Sequence, residues 1–288
     1  MREMYALETN NAIIRYDMMG HGPILLCIPG ASGINDSYLD LAHKLEDHFT
    51  VVLPDRRGYG ASELLTALPS SIANTKDTYC LTMDVEDIKT LIQTLSNHPV
   101  YLFATDTGAV PALEFACMYP ELVKTLLVHE PLNTSVLPNR EDYVPQTEQI
   151  VRTTMIEGVP AAMRQYERLI NPSHSDMQVL VENTIAPCAV CSPSTSQIRS
   201  SESTNIWLQY ELRQYINYQI DIETLKAKDV SIKFLQGEQS KESLGYEAAK
   251  YFAHSLNANL FQVTGGHYGY AQQPKQFAKA VKKILRSQ

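Results

Sequence analysis

The sequence predicts an α/β protein: a mostly parallel sheet with helices on both faces, interrupted by a helical insertion. Three observations predict it. Between residues 23 and 129, short apolar runs alternate with amphipathic stretches, the rhythm of strand, helix and strand that builds parallel sheets. The rhythm stops near residue 133 and resumes near residue 230. Finally, residues 100–104 (VYLFA) run through Ala104-Thr105-Asp106-Thr107-Gly108 into an apolar-faced stretch over 109–118. A strand entering a helix through a tight turn of that form holds one side chain at the turn's tip, above the sheet.

Each element has its own signal. Residues 3–17 read as two short strands joined by Asn10-Asn11, a pair suited to a hairpin turn. Residues 23–28 (PILLCI) are apolar without alternation and end at Pro29-Gly30, as in a strand covered on both faces. Helical spacing follows at Leu39, Leu41, Ala42 and Leu45, then a strand over 50–53 closed by Pro54-Asp55. Leu81, Val85, Ile88, Leu91, Ile92 and Leu95 place one apolar stripe on a helix over 79–96. Residues 123–129 (VKTLLVH) are the next strand.

The block 133–228 contains no convincing long strand, but helical patterns over 161–170 and 206–218 and a Ser-rich connector over 192–203. After it come a strand over 230–235, a helix over 246–256, a strand over 260–263 and an amphipathic helix over 275–285.

Composition narrows the function classes. The net charge is −8, and the longest basic runs are Arg56-Arg57 and Lys282-Lys283, which argues against nucleic acid and anionic membranes as partners. No segment approaches the roughly 18 consecutive apolar residues of a membrane span, and the N-terminus lacks an apolar signal core. A cytoplasmic protein with a small-molecule substrate is expected. The five Cys are odd in number. Cys27 and Cys117 read as reduced core residues, and the lone Cys188-Ala-Val-Cys191 lacks the second pair or nearby His of a metal site. No metal or cofactor is implied.

Four motifs in order give the chain a resemblance to the α/β-hydrolase fold family over nearly its whole length. They are Ile28-Pro29-Gly30-Ala31-Ser32-Gly33 after the third strand, Asp55-Arg56-Arg57-Gly58-Tyr59-Gly60-Ala61-Ser62 after the fourth, the Asp106 turn, and Gly265-Gly266-His267-Tyr268-Gly269-Tyr270 near the end. The resemblance implies an eight-stranded sheet. It also implies a core domain of residues 1–132 and 229–288 and a helical cap over 133–228, between the sixth and seventh strands. His267 then falls where the family places its general base.

The base needs an orienting carboxylate. The family offers two positions, one after the seventh strand, where this chain has Gly237-Glu238-Gln239-Ser240, and one after the sixth, where it has Val128-His129-Glu130-Pro131. The first departs from the usual acid, so Glu130 is preferred over Glu238; Glu242 is a further acid nearby. The resemblance also assigns an oxyanion hole to the backbone N–H groups of Ala31 and Thr107. Asp55 and Arg56 read as loop braces rather than reactive groups.

Asp in place of the usual Ser changes the chemistry. A carboxylate is ionised at neutral pH and attacks without a base. On an ester it gives a mixed anhydride; on a saturated carbon bearing a leaving group it gives an ordinary ester. That ester is then open to water activated by His267. Epoxides and alkyl halides fit, as in epoxide hydrolases and haloalkane dehalogenases. Dehalogenases usually place Trp after the Asp, where this chain has Thr107; epoxide hydrolases usually show His-Gly-x-Pro, where it has Pro29-Gly30-Ala31-Ser32. Candidate pocket residues in the cap are Trp207, Tyr210 and Tyr215, with Tyr143, Tyr166 and Tyr218 as further hydroxyls. Ile206, Leu208, Ile216 and Ile220 are expected to make the chamber apolar, and Met18, Met19 and Met155 to lie in the core. Two other readings are a serine-type carboxylic ester hydrolase with its Ser at position 106 replaced, for which the small neighbours Thr105 and Thr107 speak, and a non-catalytic ligand-binding member of the fold.

Overall fold

The computed structural model describes residues 3–185 and 206–286. Its strands are β1 (Glu3–Thr9), β2 (Ala12–Gly20), β3 (Ile24–Ile28), β4 (Thr50–Pro54), β5 (Glu63–Leu64), β6 (Val100–Thr105), β7 (Val123–His129), β8 (Ile232–Gly237) and β9 (Asn259–Val263). Eight of them form one sheet in the order β1-β2-β4-β3-β6-β7-β8-β9, while the two-residue β5 pairs with β2 off this path. That fragment shifts the strand count by one after β4. The pairings β1–β2 and β2–β4 are antiparallel; from β4 through β3 to β9 every pairing is parallel.

Both faces of the central strands are covered. Leu26, Ile28, Leu102, Ala104, Leu126, Val128 and Phe234 belong to one buried cluster. Their neighbours Leu25, Cys27, Phe103, Leu127 and Leu235 belong to a second. Alternate side chains point to opposite faces of a strand, so two clusters require the uninterrupted apolar runs that the sequence carries.

The helices are α1 (Leu39–Leu45), α2 (Tyr79–Leu95), α3 (Ala109–Met118), α4 (Tyr143–Ile156), α5 (Val159–Ile170), α6 (His174–Ile185), α7 (Leu212–Asn217), α8 (Ile222–Ala227), α9 (Leu244–Leu256), α10 (Gly269–Gln272) and α11 (Pro274–Arg286). Helices α4 to α8 all lie between β7 and β8. Trp207, Leu208, Ile216 and Ile220 from this insertion are buried in the same cluster as the core helices α2 and α3.

Several expectations shift. Strand β8 begins at Ile232 rather than 230 and runs on to Gly237, because Gln236 and Gly237 find partners in Gln262 and Val263 of β9. The expected helix over 206–218 is a π-helical turn, Trp207–Glu211, followed by α7. Met19 is buried, but Met155, expected in the core, is 74% exposed near the end of α4. Cys27 and Cys117 are buried thiols. Cys188, Cys191 and the connector over 192–203 lie outside the described residues. Among the described residues, no helix is long and apolar enough to cross a membrane.

Candidate active site

Asp106 sits where β6 ends and the chain turns toward α3. Its φ is +57°, a left-handed conformation that costs a side-chain-bearing residue energy and marks an imposed geometry. The turn is held tightly from behind. A Cβ on Gly108 would lie 2.4 Å from the Pro29 carbonyl oxygen, which accounts for glycine two residues past the Asp.

The structure brings Asp106, Glu130 and His267 together. His267 Nδ1 lies 3.0 Å from Glu130 Oε2, and its Nε2 lies 3.3 Å from Asp106 Oδ2. All three are buried, Glu130 completely. Burial pushes the His267 pKa down, but hydrogen bonds and charge from Asp106 and Glu130 outweigh it and raise it to about 10. The two neighbouring carboxyl groups thus favour the charged form of the imidazole.

Glu130 leaves β7 with φ +43°. Its Oε1 accepts the Gly237 N–H at 2.7 Å and the Ser240 hydroxyl. Its backbone N–H donates to Leu235 O at 3.1 Å. Glu238 and Glu242 are both exposed, and the Glu238 backbone N–H pairs with Val263 O; of the three acids named from the sequence, Glu130 is the one that meets the imidazole.

Of the two expected oxyanion-hole donors, Thr107 N–H donates to Asp106 Oδ1. Ala31 follows Gly30, whose Cα lies against the Asp106 side chain: a Cβ there would stand 2.3 Å from Asp106 Cβ.

The cap candidates divide. Tyr215 is buried, but its hydroxyl is committed to Asp84 at 2.6 Å and accepts from Arg56 at 3.1 Å. Tyr210 is half-buried against the core. Trp207 is buried, edge-on to both Tyr166 and Tyr215, and its Nε1–H has no hydrogen-bond partner among the described residues. Tyr166, on α5, is buried, and its hydroxyl too has no partner among the described residues. Burial, and after it the charge of Asp106, raises its pKa well above the ordinary phenol value. An unpartnered buried hydroxyl costs stability, which is the signal that singles out Tyr166 and that no sequence pattern carries.

Asp55 and Arg56 brace the loop after β4. Asp55 accepts from the Asn35 and Ala61 amides at 2.9 and 2.8 Å. Arg56 bonds Asp84 of α2 and Glu211 of the π-helical turn, and Tyr59 donates to Glu211 at 2.8 Å. This buried group ties the inserted helices to the core. Arg57 forms a bidentate pair with Asp87 at 2.8 and 2.7 Å.

Sheet order, elbow and the meeting of Asp106 with His267 at the carboxyl ends of the strands define a member of one fold family. A family model described as the alpha/beta hydrolase fold matches residues 23–178. The chain belongs to that family and is a hydrolase of it. It is 27% identical over 286 residues to Uncharacterized hydrolase YraK of Bacillus subtilis (strain 168), covering 98% of this chain and 96% of that one. Over 109 residues, 38% of this chain and 28% of the relative, it is 32% identical to Epoxide hydrolase 3 of Mus musculus. Its fold is similar to that of a thermophilic esterase from Thermogutta terrifontis, with a TM-score of 0.73 at 15% identity over 99% of this chain and 98% of that one.

Proposed function

We propose that the protein opens an epoxide, or displaces a halide, through a covalent ester on Asp106, with Asp106, His267 and Glu130 as its triad and the helices over 133–228 as its cap. The observation that carries this reading is the placement of one imidazole within hydrogen-bonding reach of two buried carboxylates. A serine-type site needs a neutral histidine beside the nucleophile from the start. Here the carboxylate does the first step, and the histidine is not needed as a base until the second.

The steps balance. Asp106 Oδ2 attacks a ring carbon of the epoxide, the C–O ring bond breaks, and the alkoxide takes the Tyr166 proton. The His267 imidazolium returns a proton to the phenolate. Esterification has removed the Asp106 charge that raised the His267 pKa, so the imidazole is left neutral when a base is required. It then takes a proton from water, and the hydroxide attacks Asp106 Cγ. Charge develops on Oδ1, beside the Thr107 N–H; loss of one such donor typically costs about 3 kcal/mol of transition-state stabilisation. The ester C–O bond breaks, the leaving alkoxide takes the second water proton, carried in on the attacking hydroxide, to complete the diol, and Asp106 carboxylate and His267 imidazolium return.

Tyr166 favours the epoxide branch. Among the described residues its hydroxyl has no partner, and its raised pKa keeps it protonated at neutral pH, as a proton donor to an alkoxide must be. The partial similarity to Epoxide hydrolase 3 lends support. Intact-protein mass spectrometry of His267→Gln after incubation with epoxide, alkyl halide and ester panels tests the reading. An epoxide adduct mapped to Asp106 is expected; an unmodified Asp106 with every epoxide and halide overturns it.

A further inference from the structure

The loop that carries His267 is held from two sides. From β7, His129 Nε2 lies 3.0 Å from His267 O and 3.3 Å from Gly266 O. Both are acceptors, so Nε2 carries the proton. From the insertion, Asp176 reaches the same loop out of the first turn of α6. Its Oδ1 accepts the Tyr268 N–H at 3.0 Å and the Gln272 Nε2–H at 2.8 Å, and its Oδ2 accepts the Ser173 hydroxyl at 2.6 Å.

Asp176 is fully buried, a costly place for a carboxylate unless its oxygens are satisfied. Burial pushes its pKa up, but the Ser173 hydroxyl, the Tyr268 amide and the charge of His267 hold it below the ordinary carboxylate range. The approach is close. A Cβ on Gly266 would stand 2.3 Å from Asp176 Oδ2, so any side chain on the residue before His267 would displace the carboxylate. Ser173 fixes the other end: its Oγ also accepts the Asp176 N–H at 3.2 Å, capping α6 at its start.

We propose that Asp176 is a positioning residue for His267. Through the Tyr268 amide and the Gln272 side chain it couples the seating of α6 to the placement of the imidazole between Asp106 and Glu130. The loop has carbonyls on one side and amides on the other. His129 supplies a donor to the first and Asp176 an acceptor to the second. The kinetic consequence rests on the covalent-ester reading; the structural content does not.

Asp176→Asn is the test, because it keeps the volume and removes the charge and one acceptor. Two readouts are needed. Long-range ¹⁵N spectra of the imidazoles, with His267 assigned by its loss in His267→Gln, report the ring directly. Single-turnover measurements with an epoxide that alkylates Asp106 separate ester formation from ester breakdown. Altered His267 resonances are expected, with breakdown slowed on the order of tenfold to a hundredfold, as for a displacement near one ångström, and formation affected less. Should Asp176→Asn not fold, Ser173→Ala removes one donor to Oδ2 and is expected to act in the same direction, less strongly. His267 resonances and ester breakdown matching the wild type in the folded variant would overturn the proposal. If no epoxide alkylates even the wild type, it is the covalent reading that fails. The spectra still decide the role of Asp176: altered resonances uphold it and unchanged ones refute it.

Discussion

Ser240 donates its hydroxyl to Glu130 Oε1 across 110 residues of sequence. It occupies the loop after β8 where an orienting acid was first sought, and there it holds the acid supplied by the neighbouring strand. With the Gly237 N–H on the same oxygen, it leaves Oε2 free to face His267. Ser240→Ala is expected to lower stability by about 1.5–3 kcal/mol, the cost of a lost hydrogen bond to a buried charged group. Glu238→Ala, at an exposed position, should stay within about 0.5 kcal/mol of wild type. Urea unfolding of both variants distinguishes the two acids; a large effect at Glu238 and none at Ser240 would reverse the assignment.

The pH dependence of stability follows from His267. Its folded pKa, about 10, lies above the ordinary histidine value of about 6.5, so between these values the folded state holds a proton that the unfolded state has lost. The stabilisation is full below about pH 6.5 and is lost as pH rises toward 10. Relative to wild type, His267→Gln should show a flatter decline of unfolding free energy over that window. Parallel curves for the two proteins from pH 6 to 10 would contradict this.

Tyr166→Phe separates catalysis from stability. The hydroxyl has no partner among the described residues, so removing it should leave stability unchanged or slightly raised. Epoxide turnover should fall on the order of a hundredfold, the lower range for loss of a general acid, with halide displacement less affected. Steady-state rates on both classes, beside a thermal melt, check it.

Arg56 neutralises two buried carboxylates, Asp84 and Glu211, with N···O distances of 2.5 and 2.9 Å. Arg56→Met strands both and should cost about 3–5 kcal/mol, as for breaking a buried ion pair from one side. Glu211→Gln should cost less, because burial and the charge of Asp84 already raise the Glu211 pKa, against the pull of Arg56. Denaturation midpoints rank the two; the reverse order would show that Glu211, not Arg56, anchors the insertion.

Asp106→Ser tests the ester-hydrolase alternative. The elbow, the Thr107 donor and the Glu130–His267 pair would remain in place. Under the covalent-ester reading, Asp106→Ser loses epoxide turnover and gains little p-nitrophenyl ester hydrolysis. A large gain would instead mark the site as built around serine.

Much of the fold was legible because its causes are local. Unbroken apolar runs such as residues 23–28 mean a strand buried on both faces, and the stripe from Leu81 to Leu95 means a helix with one buried side. The tight turn at Asp106 and the glycines before His267 also announce themselves, since backbone strain and close approach restrict residue type at the position itself. The C-terminal end of β8 lies beyond the apolar run because its last two residues pair only with β9. Met155 is exposed because α4 turns that side outward.

Local periodicity and turn chemistry set the strand and helix order, the Asp at the tight turn and the His after the last strand. Only folding settles that Glu130 meets the imidazole, that the Tyr166 hydroxyl, unlike that of Tyr215, has no partner among the described residues, and that Asp176 grips the His267 loop. These depend on the direction of single polar groups between segments far apart in the chain. Packing fixes such directions through burial and hydrogen-bond satisfaction, and neither leaves a periodic trace in the residue string.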